Sequence, residues 1–266
     1  MDNRAIGVFD SGLGGLTAVS ALRRLMPKED IVYLGDTARV PYGDKSSQQL
    51  ISFAEQDIAF LLSQNVKLIL IACGTVSSTL SEAAMGAFAV PVIGVLNPAV
   101  DAAIKKSKNG KIGIIATAAS IKTGAYRSKL LQKKPSAEVF EMACPRLVPL
   151  IESGRVCEAD PEVTEAVNMY IPPLKAEGID TLILGCTHYP LLRAAIRACL
   201  PAAEFIDVGK EAAERAKEII FKNGLEADRE SGKCSFFVSG EIESFKTNAS
   251  RFLGFDVTDV RHAELF

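Results

Sequence analysis

The sequence predicts an α/β protein made of two pseudosymmetric α/β domains, each with a mainly parallel sheet, and a site in the cleft between them. Short β-branched runs alternate with amphipathic helical stretches along the chain. Runs such as "KLILIAC" (67–73) are apolar on both faces, as in a parallel sheet covered by helices on both sides. The order of these elements also repeats once along the chain.

The first half opens with "AIGVFD" (5–10), a buried strand that ends in the glycine turn "SGLGG". An amphipathic helix is expected over 16–26 because Pro27 cannot continue it. Two further helices are expected at 47–64 and 98–106. The expected strands of the whole chain are 5–10, 31–36, 67–73, 91–96, 110–117, 137–143, 180–186 and 203–208.

The repeat is visible as a shared spacing between the two halves. Cys186 follows Cys73 by 113 positions, and Val208 follows Val95 by the same 113 positions. We therefore expect a first domain formed by 1–96 and 209–266 and a second formed by 97–208. Ligands of open α/β sheets bind outside the carboxyl ends of the strands, where both cysteines are expected to lie.

The composition limits the classes of protein to which this chain can belong. The chain has 266 residues, of which 48% are hydrophobic, which is enough for two packed cores. A formal net charge of −2 gives no reason to expect nucleic acid or an anionic membrane as a partner. The N-terminus lacks a signal-peptide pattern, and no apolar run reaches the roughly 20 residues of a membrane span, so we expect a cytoplasmic protein.

The cysteines and histidines argue against a metal site or a disulfide framework. The six cysteines include no CxxC pair, so we expect reduced thiols. The two histidines form no HxxxH motif, and no metal is expected. A free cysteine is most often a small buried hydrophobe, and this interpretation suits Cys144, Cys157, Cys199 and Cys234.

Cys73 and Cys186 have a different setting, because each ends a strand and precedes a polar turn. A helix N-terminus there is expected to lower the thiol pKa from about 8.5 and to favour thiolate. Two opposed thiols suit proton transfer on opposite faces of one carbon, which is racemisation without a cofactor. A carbon about 3–4 Å from each sulfur would place the sulfurs about 7–8 Å apart.

Polar residues next to these strand ends are further candidates. Asp10 and Ser11 end the first strand, and Asp10 is interpreted either as a helix N-cap or as a carboxylate beside a cysteine or a substrate amine. His188 follows Cys186 by two residues and can tune its thiol. His262 is expected at the surface. The glycine turn matches neither GxGxxG nor a phosphate loop.

Five segments together resemble the glutamate racemases over nearly the whole chain. They are "FDSGLGGL", "GDTARVPYG" (35–43), the Cys-x-Thr at 73–75, "ACPRLVPLIESG" (143–154) and "LGCTHYPLL" (184–192). The resemblance implies a cofactor-independent enzyme that interconverts L- and D-glutamate with two cysteines and supplies D-glutamate for peptidoglycan. It also implies two pseudosymmetric domains around a cleft and, as is frequent in the family, a homodimer.

The resemblance assigns roles to individual positions. It makes Cys73 and Cys186 the catalytic thiols, with Asp10 assisting Cys73 and His188 assisting Cys186. Asp36 and Glu152 match acidic accessory positions near the site. The positions that it implies for binding glutamate are Asp10, Ser11, Tyr42, Gly43, Gly74, Thr75, Thr117, Thr187 and His188.

The chain departs from the family pattern in two places. Ala116 and Ser120 replace a glycine and a threonine of a Gly-Thr-x-x-Thr segment. Gly74 stands where the family usually has Asn, so a side-chain amide that would bond the substrate is missing. We therefore expect Gly74→Asn to lower KM for glutamate with kcat little changed, unless a positive φ at Gly74 strains the new residue.

Three other functions stay open at this point. One is racemisation of aspartate or another amino acid by the same superfamily chemistry. Another is a thiol hydrolase that uses one cysteine with His188, although the second cysteine argues against it. The last is a non-catalytic binding protein that descends from a racemase. An assay for racemisation of L-glutamate separates them.

Overall fold

The computed structural model describes residues 1–265, which fold into strands and helices in alternation. The strands are β1 (Ile6–Asp10), β2 (Ile31–Gly35), β3 (Leu68–Ile71), β4 (Val92–Gly94), β5 (Lys111–Ala116), β6 (Glu138–Ala143), β7 (Thr181–Leu184), β8 (Glu204–Asp207), β9 (Cys234–Val238) and β10 (Val260–His262). They form a six-stranded sheet of order β10-β9-β2-β1-β3-β4 and a four-stranded sheet of order β6-β5-β7-β8. Every pairing within these sheets is parallel, so the predicted α/β class is confirmed.

Helices cover both sheets. They are α1 (Leu16–Leu25), α2 (Ser47–Ser63), α3 (Gly74–Thr79), α4 (Glu82–Gly86), α5 (Leu96–Lys106), α6 (Ala118–Thr123), α7 (Ala125–Lys133), α8 (Leu147–Glu152), α9 (Pro161–Ala176), α10 (Arg193–Cys199), α11 (Val208–Lys222) and α12 (Ile242–Leu253). Single 3₁₀ turns lie at Tyr42–Asp44 and Tyr189–Leu192. None of the helices in the described part of the chain is both long and apolar enough to cross a membrane.

Local sequence explains where the main helices begin and end. Ser46 and Gln49 form a capping box that starts α2, with the Ser46 hydroxyl accepting from the Gln49 N–H. Asp160 caps α9, whose first residue is a proline, as that position tolerates. Gly124 adopts a φ of 63° and ends α6 directly before α7.

The four-stranded sheet repeats the order and register of four strands of the six-stranded sheet, β2-β1-β3-β4. The strands β1 and β5 each lie between the strand that follows them in the chain and a strand that ends two residues before a cysteine. The paired residues are Phe9 with Leu34 and Ile71 in the first sheet, and Ile115 with Met142 and Leu184 in the second. Counting two residues on from these pairs equates Cys73 with Cys186, Ser11 with Thr117, and Asp36 with Cys144.

One buried apolar cluster joins the halves, since it contains Val8 of β1 as well as Ile183 of β7. The boundaries expected for the two domains stay a prediction. The eight expected strands are present, and their ends differ from the expected ones by at most two residues, whereas β9 and β10 were not predicted. β10 is a short edge strand with exposed Arg261 and His262, so it lacks the apolar run that identifies the other strands.

Candidate active site

The carboxyl ends of strands from both sheets line one cavity of about 340 Å³. All of the residues expected from the sequence to bind or act on a substrate line it, together with one of the two expected accessory residues: Asp10, Ser11, Tyr42, Gly43, Cys73, Gly74, Thr75, Thr117, Glu152, Cys186, Thr187 and His188. Asp36 is the exception, because it lies behind Tyr42. A larger groove of about 800 Å³ lies elsewhere, between α5, α7 and α11, and contains none of these residues.

Cys73 lies at the N-cap of α3 and is buried. Its thiol donates to the Ser11 hydroxyl, with 3.6 Å between Sγ and Oγ. Burial, and next the negative charge of Asp10, raise the pKa of Cys73 to about 12, although N–H groups of Val76 and Ser11 act in the opposite direction. The expectation that the helix N-terminus lowers this pKa is therefore wrong, because desolvation outweighs a helix of one and a half turns.

Asp10 ends β1 and is only 1% exposed. Its Oδ2 accepts from the Gly12 N–H at 3.0 Å, so the carboxylate closes its own turn. The N-cap of α1 is Gly15, with no side-chain cap, so the interpretation of Asp10 as a helix cap is wrong. The carboxylate lines the cavity near Cys73, as the alternative interpretation expected.

Cys186 is paired with His188, with 3.6 Å between Sγ and Nδ1. The second ring nitrogen, Nε2, lies 3.2 Å from Oε1 of Glu152, which ends α8. Burial alone would lower the pKa of His188, but the hydrogen bond and charge of Cys186, with Glu152 and Asp10, raise it to about 10. The edge of the His188 ring also packs against Phe252 of α12, with ring centroids 5.7 Å apart.

Hydroxyl groups connect the two halves beside the thiols. Thr75 of α3 and Thr117 at the start of α6 share a hydrogen bond of 3.2 Å. Thr117 Oγ1 also accepts from the Ser120 N–H at 3.2 Å and caps α6. The Ser120 hydroxyl, which the replaced threonine would also supply, lies 3.0 Å from Thr117 Oγ1. Thr187 adds a further buried hydroxyl at the cavity.

A buried carboxyl cluster supports Tyr42 from behind. The Tyr42 hydroxyl donates to Asp36 and lies 3.4 Å from Oδ2 of Asp57. Asp36 also accepts from Ser239 at 2.7 Å, and Arg39 donates to both carboxyl groups. Burial and the charge of Asp36 raise the pKa of Asp57 well above its ordinary value despite Arg39.

Sequence reasoning missed two residues of this region. Asp57 could have been found, because it lies on the apolar face of α2 among buried residues such as Ala54 and Leu61, where an acid is unusual. Cys144 was expected to be a buried hydrophobe, and it is buried, but it also lines the cavity. Burial and the nearby Cys186 raise its pKa to about 12.

The remaining cysteines lie outside the cavity. Cys157 is exposed in the loop before α9, so its expected burial is wrong, whereas Cys199 and Cys234 are partly buried. All six cysteines are free thiols. Within residues 1–265, His, Cys, Asp and Glu form no group of three or more that could hold a metal ion.

The two thiols differ in their electrostatic surroundings. A neutral thiol is favoured at Cys73, which is buried beside a carboxylate. Cys186 instead lies beside the His188 ring, whose pKa is raised to about 10, so a positive charge faces its sulfur. The arrangement can therefore offer an acid and a base to one small molecule in the cavity.

Comparison with known proteins agrees with this arrangement. The sequence model of the Asp/Glu/Hydantoin racemase family matches residues 19–216. A glutamate racemase of Desulforudis audaxviator is 41% identical over 263 residues, which cover 96% of this chain and 95% of that protein.

Solved structures give the same result. Glutamate racemase isoform RacE1 from Bacillus anthracis has a TM-score of 0.94 at 39% identity, covering 100% of this chain and 99% of that one. The enzyme from Francisella tularensis in complex with D-glutamate has a TM-score of 0.92 at 36% identity, with the same coverage. This chain therefore belongs to the Asp/Glu/hydantoin racemase family.

Proposed function

We propose that this protein is a cofactor-independent glutamate racemase that interconverts L- and D-glutamate through the thiols of Cys73 and Cys186. The observation that carries the proposal is their placement. They follow topologically equivalent strands, β3 and β7, and line one cavity of about 340 Å³. Glutamate is the substrate named for full-length relatives about 40% identical to this chain.

The reaction exchanges one proton on each face of Cα. The Cys186 thiolate takes the Cα proton from one face, and the Cys73 thiol gives its proton to the opposite face. Cys186 is then a thiol and Cys73 a thiolate, which is the state that turns over the other enantiomer. The imidazolium of His188 stabilises the Cys186 thiolate, and Glu152 orients its ring.

The Cys73 half needs a different aid, since its thiolate forms next to Asp10. The Asp10 carboxylate suits the substrate ammonium group, and with the ammonium bound its repulsion of a Cys73 thiolate falls. Binding of the substrate ammonium group at Asp10 would therefore also make the Cys73 thiolate easier to form. Asp36 acts only through Tyr42, whose hydroxyl it fixes.

The two carboxylates of glutamate need donors at both ends of the cavity. We assign them to the hydroxyls of Ser11, Thr75, Thr117 and Thr187, with Tyr42 and the backbone N–H groups of Gly43 and Gly74. These residues line the cavity from both halves, so the substrate itself would connect the halves. Donors aimed at the α-carboxylate also stabilise the charge that develops when Cα loses its proton.

An optical assay tests the proposal. Circular dichroism follows L- and D-glutamate separately in the purified protein, with L-aspartate as the competing substrate and Cys73→Ser as the blank. Racemisation of both glutamate enantiomers, absent from the blank, is the expected result. Turnover of aspartate alone would assign a different substrate, and glutamate binding by calorimetry without turnover would support the non-catalytic alternative.

Three wider features belong to the proposal through the family resemblance. They are a homodimer, a cytoplasmic location and the supply of D-glutamate for peptidoglycan. Light scattering during gel filtration tests the first, with twice the chain mass expected. Rescue of a bacterial strain that requires D-glutamate tests the last, with Cys186→Ser as the control that should not rescue growth.

A further inference from the structure

Two glycines of the first half lie directly against the turn 185–188, which carries Cys186. We call Gly14 and Gly74 the glycine seat. A Cβ on Gly74 would lie 2.5 Å from the carbonyl oxygen of Gly185, and a Cβ on Gly14 would lie 2.5 Å from Thr187 Oγ1 and still nearer to His188 Nδ1. Real Cβ atoms essentially never approach another heavy atom below 3.0 Å.

Space, and not backbone conformation, explains these glycines. Neither Gly14 nor Gly74 is among the residues with positive φ, so an alanine could adopt either backbone conformation. The strain considered for Gly74→Asn from a positive φ therefore does not arise. What a side chain would meet is the opposite half of the molecule.

Hydrogen bonds hold the turn 185–188, which faces the glycine seat, in place. The Gly185 N–H donates to the carbonyl of Ile115 at 2.7 Å, which fixes the turn to β5. The carbonyl of Thr187 accepts from the Thr17 hydroxyl of α1 at 3.0 Å, a second tie between the halves. A Cβ at Gly74 must therefore push the halves apart, because the atom that it meets belongs to the main chain.

We propose that the glycine seat sets the distance between the two catalytic thiols. Gly74 is bonded to Cys73 and Gly185 is bonded to Cys186, so the contact between them is the spacer nearest to both sulfurs. A methyl group at position 74 has to lie at least about half an ångström further from the Gly185 oxygen, and the two sulfurs move apart with this contact. The inference rests on the proposed two-thiol reaction and makes Gly74 a positioning residue.

This contact overturns the simpler expectation for Gly74→Asn. An added amide could bond the substrate, but its Cβ meets the Gly185 carbonyl before the amide can contribute. We therefore expect Gly74→Asn to slow racemisation, whatever it does to affinity. The site is built around a glycine at this position.

A comparison of two reactions tests the seat. Racemisation needs both thiols, whereas loss of chloride from a β-chloro analogue of glutamate needs only one thiolate. That thiolate takes the Cα proton, a Cα–Cβ double bond forms, and chloride leaves with its electron pair. A displacement of about 1 Å can slow a reaction about 10²-fold, so we expect Gly74→Ala to slow racemisation about 10-fold. Chloride elimination should fall less than about 3-fold, since one thiolate suffices.

Two matched variants complete the design. Gly14→Ala should slow racemisation and chloride elimination together, because the atoms facing its Cβ belong to Thr187 and to the His188 ring that pairs with Cys186. Gly86→Ala in α4 is the control, since nothing lies within 4 Å of its added Cβ, and its activities should equal those of the parent. Equal losses of racemisation and elimination in Gly74→Ala would indicate a general structural role and would overturn the proposal.

Crystal structures of the parent and Gly74→Ala give a second readout that does not depend on the substrate. The proposal requires a longer distance between the sulfurs of Cys73 and Cys186 in the variant than in the parent. An unchanged distance would overturn the proposal even if activity falls. If the parent fails to racemise glutamate, the proposed function fails, while the sulfur separation still tests the role of Gly74. If Gly74→Ala does not fold, the sulfur separation in crystals of Gly14→Ala provides the structural readout.

Discussion

The two halves of the site are equivalent in topology and different in charge. Cys73 and Cys186 follow corresponding strands, but a carboxylate lies beside the first and an imidazole beside the second. Burial and the charge of Asp10 raise the pKa of Cys73 to about 12, whereas Cys186 lies beside a histidine whose pKa is raised to about 10. The comparison teaches that the repeated fold gives the two thiols equivalent positions, whereas their neighbours give them unlike charges.

The layer behind the thiols differs as well. Asp36 of the first half corresponds in register to Cys144 of the second. Asp36 holds the hydroxyl of Tyr42 within a carboxyl cluster, whereas Cys144 accepts the hydroxyl of Tyr189 through its main-chain carbonyl at 3.1 Å. The layer behind Tyr42 therefore contains two carboxyl groups, whereas Cys144 contributes a main-chain carbonyl at the corresponding place.

Removing either thiol should have the largest effect and tests the equivalence of the halves. Cys73→Ser and Cys186→Ser should each lower racemisation about 10²–10⁴-fold, because a hydroxyl cannot serve as the base near neutral pH. Each variant should still eliminate chloride from one enantiomer of the β-chloro analogue, and the two should prefer opposite enantiomers. Cys157→Ser, which changes an exposed cysteine, is the control. Full racemase activity in either variant would refute the two-thiol reaction.

Replacing His188 tests the charge on the second half. His188→Asn should lower racemisation about 10²-fold. Its kcat/KM must fall equally in both directions, because the equilibrium constant between enantiomers is unity. Elimination should therefore reveal the asymmetry, with a loss only for the enantiomer whose Cα proton faces Cys186.

Alkylation gives a direct measure of the same pair. His188 has a pKa raised to about 10, chiefly by the hydrogen bond and charge of Cys186, so its imidazolium persists below that pH. A positive charge beside the sulfur favours its reaction with iodoacetamide. His188→Asn should therefore slow the alkylation of Cys186 at pH 7 relative to the parent. Equal rates in both proteins would contradict the ion pair, and His262→Asn is the exposed control.

Replacing Asp10 should raise the reactivity of Cys73 in the first half, whereas replacing His188 lowers that of Cys186 in the second. Asp10→Asn keeps an acceptor for the Gly12 N–H but removes the charge that helps to raise the pKa of Cys73 to about 12. The pKa of Cys73 should fall, so its alkylation at pH 9 should accelerate, by about 10-fold for each unit of pKa. Cys157 is the internal reference in the peptide mass spectra. Slower alkylation of Cys73 would mean that Asp10 activates the free thiol.

The effect of Asp10→Asn on turnover separates its two influences. A more acidic Cys73 alone would favour the thiolate, whereas loss of the carboxylate removes a partner for the substrate ammonium. We expect the second influence to dominate, with KM raised and racemisation about 10-fold slower, since a hydrogen bond to a charged group contributes about 1.5–3 kcal/mol. An unchanged KM would remove Asp10 from substrate binding.

Much of the site could be predicted from the sequence, because the carboxyl ends of parallel strands meet at one edge. Apolar runs that end in Asp10, Cys73 and Cys186 therefore identified neighbours in space. The acidity of Cys73 could not be predicted, since it depends on burial by segments distant in the chain. The contact of Gly74 with Gly185 was also inaccessible, because it depends on how closely the two halves pack.

Asp57 could be predicted from the sequence only in part. Its place on the buried face of α2 is visible in the sequence, but its partners Tyr42 and Asp36 come from other segments. Only the structure reveals that two carboxyl groups share one arginine there. Burial and the charge of Asp36 are the physical reasons why its pKa is raised, against the effect of Arg39. Replacing Asp57 has the smallest expected effect on activity.

Asp57→Asn tests the carboxyl cluster of Asp36 and Asp57 through stability. The pKa of Asp57 is raised above its unfolded value near 3.8, so the folded protein binds more protons than the unfolded one. This carboxyl therefore makes the free energy of unfolding fall as the pH rises from about 4 towards the folded-state pKa. An amide has no such titration, so the variant should gain stability relative to the parent over this range.

We expect this relative gain to grow from pH 4 to pH 7. Urea unfolding of both proteins at several pH values measures it. Glu55→Gln, an exposed change on the same helix, should show no comparable trend. Racemisation should change less than about 3-fold, because Asp36 still accepts the Tyr42 hydroxyl. A stability difference that is constant with pH, or that favours the parent increasingly as the pH rises, would show that Asp57 is an ordinary ionised partner of Arg39 and that the first half holds no extra proton.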